Sequence, residues 1–255
     1  MKIATWNVNS LTVRLPHVLD WLASAKPDAL CLQETKQEDG KFPYDALREA
    51  GYHAIHNGQK TYNGVAIISP HAIESVSTNI AGFEDEQRRV ISATVNGVRL
   101  VCAYIPNGQA VGSDKYQYKL QWLNAFTSWL KQELQQYPRL AVLGDYNIAP
   151  HDIDCHDPQA WQGQVLVSEA ERAAFQQLLS LGLHDGFRLF NQDSGQYSWW
   201  DYRMAAFRRN LGMRIDHILV SDSLKPHCQQ SYIDKSPRKL ERPSDHTPVV
   251  LELAP

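Results

Sequence analysis

The chain carries almost no excess of either charge. Lys and Arg number 25 against 28 Asp and Glu, a formal net charge of -3 with a pI near 6.4. It therefore lacks the overall basic balance of a typical nucleic-acid binder. A local basic face remains compatible with this balance, since a bound metal's own charge belongs in the sum. No apolar run approaches the ~20 residues that a helix needs to span a bilayer. The stretch Met1-Lys2-Ile3-Ala4-Thr5-Trp6-Asn7 has no long apolar segment and reads as a first strand, not a signal peptide. Cysteine is scarce: Cys31, Cys102, Cys155 and Cys228 are widely spaced, without a C-x-x-C pair. That argues against a zinc site and a disulfide framework, and a reducing, cytoplasmic setting is expected. No Pro/Ser-rich linker, repeat or charge block divides residues 1–255, so one domain is expected.

What is present suits a globular enzyme. Hydrophobic residues make up 43% and charged residues 21%, enough to bury a sizeable core. Strand and helix signals alternate. Ile3 to Val8, Ala29 to Leu32, Gly64 to Ser69 and Leu140 to Leu143 read as buried strands. Arg14 to Ser24 and Tyr116 to Leu134 carry helical apolar spacing, and Tyr44 to Ala50 reads as a short helix ended by Gly51. Asn96-Gly97 between two apolar runs predicts a hairpin of 90–95 with 98–104. Ser168 with Glu171 predicts a capping box. Tyr197 to Trp200, Ile215 to Val220 and Thr247 to Leu253 complete the expected strands. Hairpins beside helical crossovers imply mixed sheets.

The segment Arg242-Pro243-Ser244-Asp245-His246-Thr247-Pro248 sets a carboxylate and an imidazole between two prolines. Proline fixes φ and disfavours helix in the residue before it, so Asp245 and His246 are expected on a short stiff loop. Upstream, apolar runs repeatedly deliver a polar side chain at their ends. Asn7 and Asn9 follow the first run, Glu34 the second, Tyr104 another, and Asp145 and Asn147 follow Leu140–Leu143, while Asp216 sits just after Arg214-Ile215. Taken singly, each has an ordinary structural explanation: an Asx turn, a solvated strand end, a core phenol, an ion pair with Arg214. Converging, they would form an oxygen-rich donor set without cysteine, which suits Mg²⁺.

Trp6-Asn7-Val8-Asn9, Leu32-Gln33-Glu34, Gly64-Val65-Ala66, Gln87-Arg88-Arg89, Gly144-Asp145-Tyr146-Asn147-Ile148, Trp199-Trp200-Asp201-Tyr202-Arg203, Arg214-Ile215-Asp216 and Ser244-Asp245-His246 resemble the motifs of the exonuclease III family. That family belongs to the metal-dependent endonuclease–exonuclease–phosphatase superfamily. The resemblance runs from residue 3 to residue 252. It implies an α/β four-layer sandwich, with two packed mixed β-sheets flanked by helices. It also implies a DNA repair nuclease using Mg²⁺, with Mn²⁺ as a substitute. The substrate implied is double-stranded DNA with abasic sites or with blocked or recessed 3′ ends, acted on by a monomer.

By the same resemblance Asn7, Glu34, Asp145, Asn147 and Asp245 are the metal-side candidates. Tyr104, Asp145, Asn147, Asp216 and His246 are the catalytic ones, with His246 also contacting the phosphate and Asp216 as its expected partner. Asn107, Trp199, Arg203, Arg208 and Met213 are candidate DNA contacts, with Ile215 competing as core. Charge alone adds Arg88, Arg89, Lys115, Lys119, Arg209 and Arg214 as candidate phosphate contacts. The chain departs from the family at Leu166-Val167, where a small residue followed by phenylalanine is common. A bulky Leu166 is expected to obstruct an internal abasic strand more than a frayed 3′ end. Two other readings compete: a phosphatase of the same superfamily, and a nuclease-inactive nucleic-acid-binding regulator. The intact Glu34, Asp145, Asn147, Asp216 and His246 weigh against the regulator.

Overall fold

A computed structural model describes all residues, Met1–Pro255. Fourteen strands and five α-helices follow in chain order. One six-stranded sheet runs β13 (Cys228–Ile233), β14 (Val249–Leu253), β1 (Lys2–Asn7), β2 (Ala29–Gln33), β4 (Val65–Ser69), β3 (His53–Asn57). The other runs β5 (Glu74–Thr78), β6 (Val90–Val95), β7 (Val98–Tyr104), β8 (Leu140–Asp145), β12 (Asp216–Ser221), β9 (Leu183–Asp185). A small ribbon pairs β10 (Trp199–Trp200) with β11 (Gly212–Met213).

Each large sheet contains one parallel pair, β1 with β2 and β7 with β8, and its other pairings are antiparallel. A parallel pair requires a crossover. Helix α1 (Leu11–Ala25) supplies the first and helix α3 (Asp114–Gln136) the second. Side chains alternate across a strand, and the layers follow from that. Along β7, Val98, Leu100, Cys102 and Tyr104 join the core between the sheets, while Val101 and Ala103 face α3. On the other sheet Ala4 and Trp6 of β1 pack with Val18 and Leu22 of α1. The result is the expected four-layer sandwich, closed outside by α1 with α2 (Tyr44–Glu49) and by α3 with α5 (Glu169–Leu179). A single-turn helix, α4 (Pro158–Trp161), lies in the connection before α5.

No helix is long and apolar enough to cross a membrane. The hairpin and the capping box form where expected, with Asn96 and Gly97 at φ 49° and 76°. The expected strand from Tyr197 shortens to Trp199–Trp200, and Ser198 just before it directs its side chain to Asp216.

Candidate active site

The two parallel pairs carry the strand ends of β1, β2, β7 and β8 to one edge of the sandwich, and β12 begins there in register with Asp145. Gly144 is required at this edge. A Cβ on it would lie 1.9 Å from the carbonyl oxygen of Ala103 on the neighbouring strand. Gly64, at φ +96°, meets Thr35 Oγ1 as closely and lets the loop after Glu34 fold back onto β4. These approaches give the Gly144-Asp145 and Gly64-Val65 motifs a local cause.

Three side-chain pairs cross from one sheet to the other. Asn7 Nδ2 donates to Asp145 Oδ2 at 2.9 Å. Tyr104 Oη donates to Glu34 Oε1 at 2.5 Å. His246 Nδ1 donates to the Asp216 carboxylate at 2.9 and 3.1 Å. Nε2 of the same imidazole lies 3.6 Å from Asp145 Oδ2. The backbone N–H of Asn147, a residue at φ 50°, donates to Asp145 Oδ1 at 2.9 Å. Its Nδ2 donates to the Ile105 carbonyl at 2.9 Å, and its Oδ1 accepts from Asn107 at 3.3 Å.

Burial makes these charges interact strongly. It pulls the His246 pKa down, but Asp216, Asp145 and Asp245 outweigh it and hold the imidazole well above its ordinary value. Burial pushes the Asp145 carboxyl up to about 7, against the opposing charge of His246. Burial, with the carboxylates of Glu34 and Asp145, raises the Tyr104 phenol well above its usual range, so it stays a hydrogen-bond donor.

Asp145, Asp216 and His246 place potential ligand atoms within 4.8 Å of one another. Asp216, however, is committed to His246 and to Ser198 Oγ at 2.7 Å, and a protonated imidazole cannot bind a cation. The open donor is the Glu34 carboxylate, whose one hydrogen bond is to Tyr104; Asp145, which accepts from Asn7 and from the Asn147 N–H, lies at the same edge with Asn7 beside it. This hard-oxygen set fits Mg²⁺. Asp245 stands aside, with Oδ1 accepting from Asn9 at 3.2 Å and Oδ2 from Trp199 Nε1 at 3.1 Å.

Next to this edge Leu166, Met213 and Ile215 form an apolar wall with Ala149, against which Trp199 packs. Met213 is 0% exposed and sits inside the wall, as Ile215 does. Arg203 is exposed and ion-paired with Asp201 at 2.7 Å, Arg208 is exposed, and Asn107 borders the cavity of about 530 Å³ beside Tyr104.

Three candidate phosphate contacts are corrected by their burial. Arg214 binds Asp154 at 2.7 Å and Asp185 at 2.7 Å. Arg89 donates to the Tyr104 carbonyl and stacks on its ring. Lys119 is wholly enclosed. Ser198 was not singled out from sequence. Its hydroxyl binds the Asp216 carboxylate and accepts from the Ile215 and Asp216 N–H groups, both at 3.1 Å. A serine beside two tryptophans gives no such signal.

The sequence profile described as the Endonuclease/Exonuclease/phosphatase family matches residues 4–246. An exodeoxyribonuclease III of Haemophilus influenzae is 34% identical over 266 aligned residues, covering 99% of each chain. Among solved structures, a 3′ phosphatase from Neisseria bound to a product DNA hairpin superposes with a TM-score of 0.98 at 48% identity, covering 99% of each chain. An AP endonuclease from Archaeoglobus fulgidus superposes at 0.96 and 39% identity, again over 99% of each chain.

Proposed function

The chain belongs to the exonuclease III family within the endonuclease/exonuclease/phosphatase family, a DNA repair nuclease hydrolysing phosphodiesters, and from that premise we propose that it works on 3′ ends with Mg²⁺. The observation that carries this is the convergence of Glu34–Tyr104, Asn7–Asp145 and His246–Asp216 on one edge. Both sheets contribute to this edge, which supports reading residues 1–255 as one catalytic unit.

Hydrolysis needs an oriented water and stabilisation of charge developing on an already anionic phosphate. Asp145 accepts the water's proton, and Asn147, whose backbone N–H already binds that carboxylate, holds the water by its side-chain amide. His246, kept cationic by Asp216, and Tyr104 donate to the phosphate oxygens. Glu34, Asn7 and Asp145 would hold Mg²⁺ at this edge, with Asn147 and Asp245 flanking them. When bound, it would neutralise phosphate charge and stabilise the departing 3′ oxygen. Mn²⁺ offers the same coordination chemistry. Trp199 and the exposed Arg203 and Arg208 border the site as duplex contacts, with Asn107 on the opposite rim and Met213 backing the wall.

Leu166 supports the preference for ends. Its side chain is packed into the wall with Met213 and Ile215, where an internal abasic sugar would have to enter. A terminal 3′ phosphate, phosphoglycolate or nucleotide can approach without that pocket.

The decisive assay is release of mononucleotides from a 3′-recessed duplex with Mg²⁺ and with EDTA. Release abolished by EDTA is expected. Absence of release with either Mg²⁺ or Mn²⁺ overturns the reading. An internal abasic site cut as fast as a 3′-phosphoglycolate end would overturn the end preference.

A further inference from the structure

Lys119 occupies a position on the apolar face of α3, in helical register with Tyr116, Leu123 and Phe126, and its side chain and that of Glu171 are each 0% exposed. An ammonium has three donors and no acceptor. All three are used here: Nζ donates to the Asn147 carbonyl at 2.6 Å, to the Asn107 carbonyl at 3.2 Å, and to Glu171 Oε1. No other donor reaches either carbonyl. Glu171 Oε1 also accepts from the Leu166 N–H at 3.0 Å, and its Oε2 accepts from Ser168 N–H at 3.2 Å and Ser168 Oγ at 2.5 Å. Leu166 returns its own carbonyl to the Ala149 N–H at 2.9 Å. The pair thus closes a loop through the Asn147 turn, the Asn107 rim and the Leu166 wall.

A buried ion pair is a weak source of stability, because desolvation costs several kcal/mol per ion and apolar residues of similar volume often do as well. The cap of α5 needs only Glu171 and Ser168. Lys119 adds the grip on two backbone carbonyls, one of them that of Asn147, whose side-chain amide is assigned to the attacking water. Asn147 and Leu166 both hold left-handed backbone, at φ 50° and 78°, and such conformations persist when surrounding contacts over-determine them.

We infer that Lys119 and Glu171 are positioning residues that lock Asn147 and Leu166 in register, so that the water-holding amide and the pocket wall move as one unit. The inference rests on the role given to Asn147 above. Lys119→Met alone leaves Glu171 buried without its partner and invites unfolding. The double variant Lys119→Met/Glu171→Gln removes both charges and retains a capping-box side chain.

For the folded double variant, confirmed by thermal melting, kcat on a 3′-recessed duplex should fall on the order of 100-fold, the cost of a displacement of about 1 Å at a reacting group. KM should stay near the wild-type value, because the DNA contacts Trp199, Arg203 and Arg208 are untouched and only the Asn107 rim is loosened. Hydrogen exchange should quicken at residues 105–109, 146–149 and 164–168 and remain slow in β7 and β8. A kcat within about threefold of wild type, or a loss confined to KM, overturns the inference. Should the wild-type protein release nothing from DNA, the functional reading falls. Exchange then decides this inference alone: loosening of both the Asn147 and Leu166 segments supports it, and anything less overturns it.

Discussion

Among single residues, the most consequential charge is on His246. Burial would lower its pKa, yet Asp216, Asp145 and Asp245 hold it well above the ordinary value. The imidazolium therefore persists through neutral pH and is lost only as pH rises through that raised value. Activity that depends on it should fall on the alkaline side. In Asp216→Asn, burial dominates, the alkaline fall moves to lower pH, and kcat at pH 8 drops roughly 100-fold, a typical acid–base contribution. The pH profile of kcat/KM checks this, and an unmoved alkaline limb with unchanged turnover would sink the pairing. Leu166 supports a second residue-scale prediction. At φ 78° a glycine is conformationally at ease, and Leu166→Gly opens the wall beside Met213 and Ile215. Abasic-duplex cleavage should rise roughly 10–200-fold relative to 3′-end release, the usual span for pocket-size discrimination. An unaltered ratio would remove Leu166 from specificity. The identity of these residues was legible because each stands beside an apolar run or a proline. The partner of each was not. Asp216 and His246, or Asn7 and Asp145, lie far apart in sequence and meet only when two sheets pack. Charge misled at Lys119, Arg89 and Arg214, since a formal charge does not reveal that its carrier is enclosed. Lys119 at a helical apolar register was the one available signal of burial.

At the scale of elements, the strands that announced themselves were the buried ones, some of them unbroken apolar runs such as Ala29–Leu32 and Leu140–Leu143. Those missed were edges and fragments. β5 (Glu74–Thr78) is exposed along its whole length, β3 and β13 are sheet edges, and β9 and β11 are two or three residues long. No apolar face marks such strands, and their pairing is imposed by neighbours. The connection from Arg203 to Arg209 is different in kind. Met204 and Ala205 hold positive φ, Met204 is exposed, and Phe207 meets Trp200 edge-on at 4.9 Å, so the loop is anchored while its arginines project. Arg214, by contrast, ties the start of β12 to Asp154 and to Asp185 of β9. The two kinds of arginine should separate experimentally. Arg203→Ala and Arg208→Ala should each lower the dependence of log K for DNA on log salt by about 1, at unchanged melting temperature. Arg214→Met should leave that slope alone and cost about 3–5 kcal/mol of stability, because it strands the Asp185 carboxylate and leaves the buried Asp154 to Arg188 alone. Equal salt slopes for Arg203→Ala and wild type would take that loop out of the DNA contact.

The whole molecule places its site on the seam between two sheets. One sheet contributes Asn7, Glu34 and, ahead of β14, His246; the other contributes Tyr104, Asp145 and Asp216. The same core cluster that closes the sandwich includes Cys102 and Tyr104 of β7, so packing and site assembly are one event. The cross-sheet pairs satisfy one another without a cation, and the fold should therefore survive EDTA. A cation that binds the folded state alone still adds stability by mass action, about 2.7 kcal/mol at 100 times its Kd. For a chain of this size that corresponds to roughly 5–10 °C in Tm. Mg²⁺ titrated against melting temperature, without DNA, should show that rise in the wild-type protein. In Glu34→Gln the rise should vanish while the metal-free Tm stays close to wild type, since Tyr104 can still donate to the amide oxygen. An equal Mg²⁺ increment in both proteins would move the metal away from Glu34.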